Sequence, residues 1–214
     1  MLRTLKRATS LAALALFCSL SLNGVSIYLQ EQAVSPGGSL ALLNWGTLLL
    51  LVPGMLALVS TVASLPLLAV KRMRGLALCL VLSGIAYFAG AKVCLSYAYD
   101  VRMDAFRRLA SRSAALIDAI ETYHTGHGGY PRVLDELTPD FLDAVPGTGM
   151  GAYPEFKYAT DPDSWKGNPF VIYVDTPAGG PNWDKFLYFP KQNYPARGYG
   201  GVLERVGLWA YVHE

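Results

Sequence analysis

The chain has 214 residues with 18 Lys/Arg, 16 Asp/Glu and a formal net charge of +2, a near balance that carries no nucleic-acid signature. The average joins two unlike parts: residues 1–98 hold seven Lys/Arg and one acid, whereas residues 99–214 hold eleven Lys/Arg and fifteen acids. The first part reads as a membrane domain, and the second, at roughly 115 residues, is long enough for one small domain with a modest core.

Three apolar stretches come first in the chain, at about 11–29, 42–70 and 75–97, each close to the ~20 predominantly apolar residues that a membrane span needs. Arg3, Lys6 and Arg7 precede the first stretch. It is either a span or a signal peptide ending near Ser19-Leu20-Ser21, and the return of apolar character at Val25 to Leu29 favours the span. Cys18 follows bulky Phe17, which argues against a lipidated cysteine and for a small buried hydrophobe. Pro53 and Pro66 lie in or at the end of the second stretch, where a kink is tolerated inside a helical bundle. Lys71, Arg72 and Arg74 fill the link to the third stretch, and the loop 30–40 has no Lys or Arg. Basic residues mark the cytoplasmic side. The expectation is therefore a multi-pass protein of a bacterial inner membrane with its N-terminus in the cytoplasm. The loop at Pro36-Gly37-Gly38 and everything after Tyr97 then lie in the periplasm. Lys92 sits little more than one turn from the outer end of its span, close enough to snorkel to the interface.

After Lys92 apolar residues recur at helical spacing, at Met103, Phe106, Leu109/Ala110, Leu116/Ile117, Ile120 and Tyr123, with no Pro or Gly before Gly126. This predicts one long helix, half in lipid and half outside it. The run Thr125-Gly126-His127-Gly128-Gly129-Tyr130-Pro131 stops it, with a turn expected to use positive φ at Gly129 and a proline that disfavours helix at Tyr130. A short helical piece is predicted at 132–137, followed by a turn from Thr138-Pro139 that carries Phe141 and Leu142. Beyond Pro146 the pattern becomes β, with strands predicted at 155–159, 170–175, 185–189 and 203–212. Clusters of Pro, Gly, Asn and Asp at 161–169, 177–182 and 192–201 separate them. The predicted fold is α+β: transmembrane helices, then a long helix packed on a small antiparallel meander.

The series from Ile120 to Tyr173 resembles the type IV pilin and pseudopilin class, and within it the major pseudopilin of type II secretion systems. The resemblance is carried by Tyr123 at the helix end, Gly129-Tyr130-Pro131, Leu134 and Leu137, Phe141-Leu142, Pro146, and the block Asp163-Ser164-Trp165-Lys166-Gly167-Asn168-Pro169-Phe170. It implies a pilin-like domain over 99–214 and a role in the cell envelope linked to type II secretion or pilus assembly. The chain departs from that class at its start. Two further apolar stretches precede the helix, and Leu80 stands where a pilin processed after Gly75 would carry its glutamate. Lys71-Arg72-Met73-Arg74 therefore reads as a cytoplasmic loop rather than a leader. The resemblance also implies a calcium-binding β-region loop, for which the oxygen donors here are Asp161, Asp163, Asp175 and Asp184; the ordinary role of such residues is in turns.

From the residues alone, one cluster has the chemistry of a zinc site. Glu121 and His124 share a helix face and His127 lies in the turn that follows; the simpler reading is a solvated helix end. All three cysteines, Cys18, Cys79 and Cys94, fall in the apolar stretches, and the sequence has no nucleophile elbow, phosphate-cradling glycine loop or His-Glu-x-x-His. No catalytic residue, and no cofactor beyond calcium, is expected. Aromatic residues concentrate after residue 96. Trp183, Tyr194, Tyr199 and Trp165 are placed as contact residues for a partner surface, with Trp165 also able to cap the open edge of the core. The expected partners are the lipid bilayer and other envelope proteins, with no nucleic acid. The leading reading is interaction rather than catalysis. The alternative is a recognition module, immunity-type or glycan-binding, that uses the aromatic loops, and a metal-dependent hydrolase comes third.

Overall fold

A computed structural model describes residues 2–179 and 182–213, with side chains described from residue 10 onward except at 11, 12, 15, 16 and 19. The side chains of Arg3, Lys6, Arg7 and Ser19, and residues 180 and 181 of the loop 177–182, therefore lie outside what is described. The chain divides into two compact units, Met1–Glu31 with Leu42–Asp100, and Gln32–Ala41 with Val101–Glu214.

The first unit is helical. Helix α1 is Leu2–Ala33, α2 is Leu40–Ser64 with Pro53 inside it, a 3-10 turn follows at Pro66–Ala69, and α3 begins at Arg74 and runs to Arg112. Leu50, Tyr87, Ala91 and Cys94 form its buried centre, with Ile27 and Ala57 packed against them. Small residues let these helices come close. A Cβ at Gly46 would lie 2.9 Å from Gln30 Cγ and 3.1 Å from the Ser26 carbonyl oxygen, so this contact needs glycine. Ser26 Oγ donates to the Gly46 carbonyl at 2.7 Å, and the Tyr87 hydroxyl donates to the Leu50 carbonyl. Both bonds hold polar groups inside an apolar bundle, where an unpaired one is costly.

The outside of this unit is as apolar as its inside. Leu51, Met55, Leu56, Val59 and Val62 point outward, Met55 with 69% of its surface exposed. Such a surface is unfavourable in water and matched to lipid. Among the described residues two helices, Leu40–Ala69 and Arg74–His127, are long and apolar enough to cross a membrane. Cys18 is exposed, not buried as expected, because it lies on the outward face of α1. Lys92 is exposed as well.

In the second unit, α3 is followed by α4, Ala114–His127, with only Ser113 between them. Ser113 keeps right-handed helical angles, φ −72 and ψ −9. Bonds from its N–H to the Leu109 carbonyl and from Ile117 N–H to its own carbonyl, both 3.0 Å, carry the helical pattern across it. Its hydroxyl donates to the Ala110 carbonyl at 2.7 Å, a back-bond that loosens a turn locally. The helix ends at His127, one residue past Gly126 and before Gly129. Gly128 is the left-handed cap, with φ +73 and its N–H on the His124 carbonyl at 2.9 Å, whereas Gly129 has no positive φ. The positive angle therefore belongs to Gly128. The short helical piece is a 3-10 turn at Leu134–Leu137.

Among the described residues six antiparallel strands follow: β1 Lys157–Ala159, β2 Val171–Asp175, β3 Lys185–Tyr188, β4 Arg197–Gly198, β5 Gly201–Val206 and β6 Trp209–His213. Their order in the sheet is β1-β2-β3-β6-β5-β4. The sheet is not the plain meander expected, because β6 inserts beside β3 and pushes β5 and β4 outward. The stretch 203–212 is two strands rather than one. Val206 pairs with Trp209 across a two-residue turn in which Gly207 has φ +63, as a tight hairpin turn demands at its first central position.

Alternation along the strands produces two faces. Phe106 of α3 stacks on Phe186, with ring centroids 4.5 Å apart, and Phe186 stacks on Trp209 at 4.9 Å, so the helix covers one face. On the other face lie Val171, Leu187, Phe189 and Val212, covered by Trp165, Tyr194 and Tyr199 from the loops. That double cover explains why β2, β3 and β6 are buried along most of their length. The loop after α1 belongs to this unit too: the N–H groups of Gly151 and Ala152 donate to the carbonyls of Ser35 and Ala33 at 2.8 and 2.9 Å.

Candidate functional site

Three sets of residues carry polar or aromatic chemistry in the second unit, and their geometry separates structural roles from exposed ones. The most buried set surrounds Arg102, which the sequence reading passed over. Arg102 lies one turn before Phe106 on the apolar stripe of α3, is 8% exposed, and sits 5.5 Å from the ring centres of Phe106, Tyr153 and Tyr211. Its guanidinium donates to the Thr176 carbonyl. Asp184, 4% exposed, accepts the Tyr211 hydroxyl at 2.6 Å. Burial pushes the Tyr211 phenol up, the Arg102 charge pulls it back, and the hydrogen bond to Asp184 raises it again. Burial likewise raises Tyr153, whose hydroxyl donates to the Pro177 carbonyl at 2.5 Å. A charge on an apolar helical stripe, four residues before an aromatic, is the sequence signal for such a site.

The acids named as calcium donors are dispersed. Asp184 belongs to the buried set just described. Asp175 is bound by Lys157 and Lys185 from the strands on either side. Burial raises its carboxyl, and the hydrogen bonds and charges of the two lysines outweigh that and hold it below the usual carboxylate value. Asp161 accepts from the Ser164 hydroxyl and from the Asp163 N–H at 3.2 Å, the pattern of an Asx turn. Glu121, His124 and His127 are not gathered either. His124 stacks on Tyr130 at 4.0 Å, and Glu121 accepts the Tyr130 hydroxyl at 3.5 Å. His127 stacks instead on Tyr123 at 4.2 Å, with Nδ1 3.1 Å from the Tyr123 carbonyl oxygen. Among the described residues, no group of three or more His, Cys, Asp or Glu is placed to hold a metal ion.

The aromatic residues named as contacts divide in two. Trp165 stacks on Tyr199 at 5.3 Å, and Tyr194 stacks on Phe189 at 4.7 Å. The Tyr194 hydroxyl accepts from the Phe189 N–H at 2.7 Å and donates to the Leu208 carbonyl at 2.8 Å, and burial pushes this phenol up. Tyr194 and Tyr199 thus help to close the second face of the sheet. Trp183 is different. It is 67% exposed, more than any other large hydrophobic described in this unit.

No family model, curated protein or solved structure matches the chain.

Proposed function

We propose that this chain is a membrane-anchored interaction protein of the bacterial envelope, holding a pilin-like α+β domain on the periplasmic side of the inner membrane and acting through contact rather than catalysis. The observation that carries the reading is the contrast between the two units. The first presents outward-facing apolar helices, suited to lipid. The second spends its buried charges and most of its aromatic rings on its own interior and leaves Trp183 outside. The side assignment is supported by the exposed basic link of Lys71, Arg72 and Arg74. It is also supported by the bonds that join residues 33–35 to residues 151–152, since both segments fall outside the membrane on the same side in this topology. The pseudopilin-type role in secretion or pilus assembly draws its support from the Gly129-Tyr130-Pro131 turn after α4 and from the Asp163 to Phe170 block that enters the sheet at β2.

The experiment is in-cell crosslinking from a photoreactive residue at Trp183 in the full chain, with mass spectrometry of what is captured. Capture of secretion or pilus components is the expected result. Capture of a single soluble protein that belongs to no envelope complex would overturn the assembly role and favour the recognition module.

A further inference from the structure

Between the flank of α3 and α4 and the β5–β6 hairpin lies an open cleft of about 340 Å³. Its walls are apolar, with Ala114 and Ile117 from the helix and Tyr188, Leu208 and Trp209 from the sheet. On the helix side the lining also includes two carboxylates, Asp118 and Glu121, three residues apart and so on one flank. Among the described residues nothing pairs with Asp118, and Glu121 is met by the Tyr130 hydroxyl at 3.5 Å. The Glu121 charge is felt around the cleft: burial raises the Tyr188 phenol and Glu121 raises it further.

The cleft shares Ala110 with a second hollow of about 420 Å³ that follows the helix back towards Met103 and includes Arg107, Glu204 and Arg205. The charges there are already engaged. Arg107 pairs with Asp104, Glu204 lies 3.7 Å from His213, and Arg205 donates to Gln192 Oε1 and the Gly207 carbonyl and lies over the Tyr194 ring. The Asp118–Glu121 end of the groove therefore carries two carboxylates with no basic partner among the described residues, whereas the charged groups at the other end are held by other contacts. From Met103 to Glu121 the helix extends about 27 Å, room for several extended residues rather than one side chain.

We propose that this groove binds an extended peptide segment of a partner protein and seats a Lys or Arg of that segment in the Asp118–Glu121 cleft. The alkyl stem of such a residue packs on Ile117, Tyr188 and Leu208 while its charge meets the two carboxylates. Leu208, at the hairpin tip and 60% exposed, supplies apolar contact for the neighbouring residue of the segment. The proposal rests on the reading of this unit as an interaction domain.

The test uses the full chain in lipid nanodiscs and two probes, the capped peptide Ac-Leu-Lys-Leu-NH2 and its norleucine analogue, with binding followed by NMR. The lysine peptide should bind at least about tenfold tighter than the analogue. Asp118→Asn with Glu121→Gln should remove that advantage, and Asp140→Asn, which does not line the cleft, should leave it intact. Leu208→Lys, at an exposed turn where folding is not at stake, should weaken the lysine peptide by a similar factor. Equal binding of the two peptides, or a lysine advantage that survives the double substitution, would overturn the proposal. Binding of n-butylammonium as tight as the peptide would overturn the peptide assignment in favour of a free amine. Failure of these arms while Trp183 still captures envelope proteins would reject the groove and leave the interaction reading standing.

Discussion

Replacing Arg102 with Met keeps a long stem between Phe106, Tyr153 and Tyr211 and removes the charge, so it isolates the electrostatic part of the buried set. The Thr176 carbonyl loses its donor, and Asp184, 4% exposed, loses the positive charge that opposes its effect on the Tyr211 hydroxyl. Removing one member of a buried charged network costs about 3–5 kcal/mol because the remaining charge stays desolvated. In a unit of this size, about 3 kcal/mol lowers the melting temperature by roughly 10 °C or more. The measurement is thermal unfolding of the full chain in detergent, followed by near-ultraviolet circular dichroism, which reports on the rings around Arg102. Adding Asp184→Asn to Arg102→Met should recover part of the loss, since the stranded charge is then gone. A cost below about 1 kcal/mol for Arg102→Met, or two substitutions whose costs simply add, would refute the coupling.

The same unfolding assay checks three smaller effects. Gly128→Ala, at φ +73, should cost about 1–2 kcal/mol, and Gly129→Ala, with open space around its Cβ position, well under half of that. Tyr194→Phe should cost about 1–3 kcal/mol by leaving the Phe189 N–H and the Leu208 carbonyl without a partner. The Lys157–Asp175–Lys185 group predicts a pH window. Asp175 is held below its ordinary value, so its contribution is present above the usual carboxylate range and fades as pH falls through the lowered value. Lys157, raised chiefly by its hydrogen bond to Asp175, contributes below its ordinary value and loses this as pH rises through the raised one. With the Lys157 and Asp175 side chains 52% and 37% exposed, the effect should stay under about 1 kcal/mol. Asp175→Asn should flatten both ends of the profile.

Helical periodicity made the buried stripe of Met103, Phe106, Leu109, Leu116 and Ile120 legible from residue spacing, and the turn-rich intervals located β1, β2 and β3 to within a residue or two. The hairpin inside 203–212 was hidden because Gly207 and Leu208 interrupt a run of β-formers for only two residues, too briefly to outweigh the pattern around them. Sheet order was not readable, since the return of β6 to pair with β3 is a long-range choice that no local pattern encodes. The packing of Tyr194 and Tyr199 on the sheet was hidden for the same reason. A loop reads as exposed until the sheet face beneath it is known to need a cover. The grouping of residues 32–41 with the later domain likewise depends on partners more than a hundred residues away. Arg102 had a local signal, a charge on an apolar stripe, and only its aromatic surroundings explain why it is tolerated there.

The proposed topology puts Arg74 on the cytoplasmic side of the membrane and Tyr97 on the opposite side. A reporter enzyme that is active only in the periplasm, fused in one strain after Tyr97 and in another after Arg74, tests this most directly. Activity is expected after Tyr97 and none after Arg74; the reverse pattern would contradict both the topology and the compartment proposed for the interaction domain.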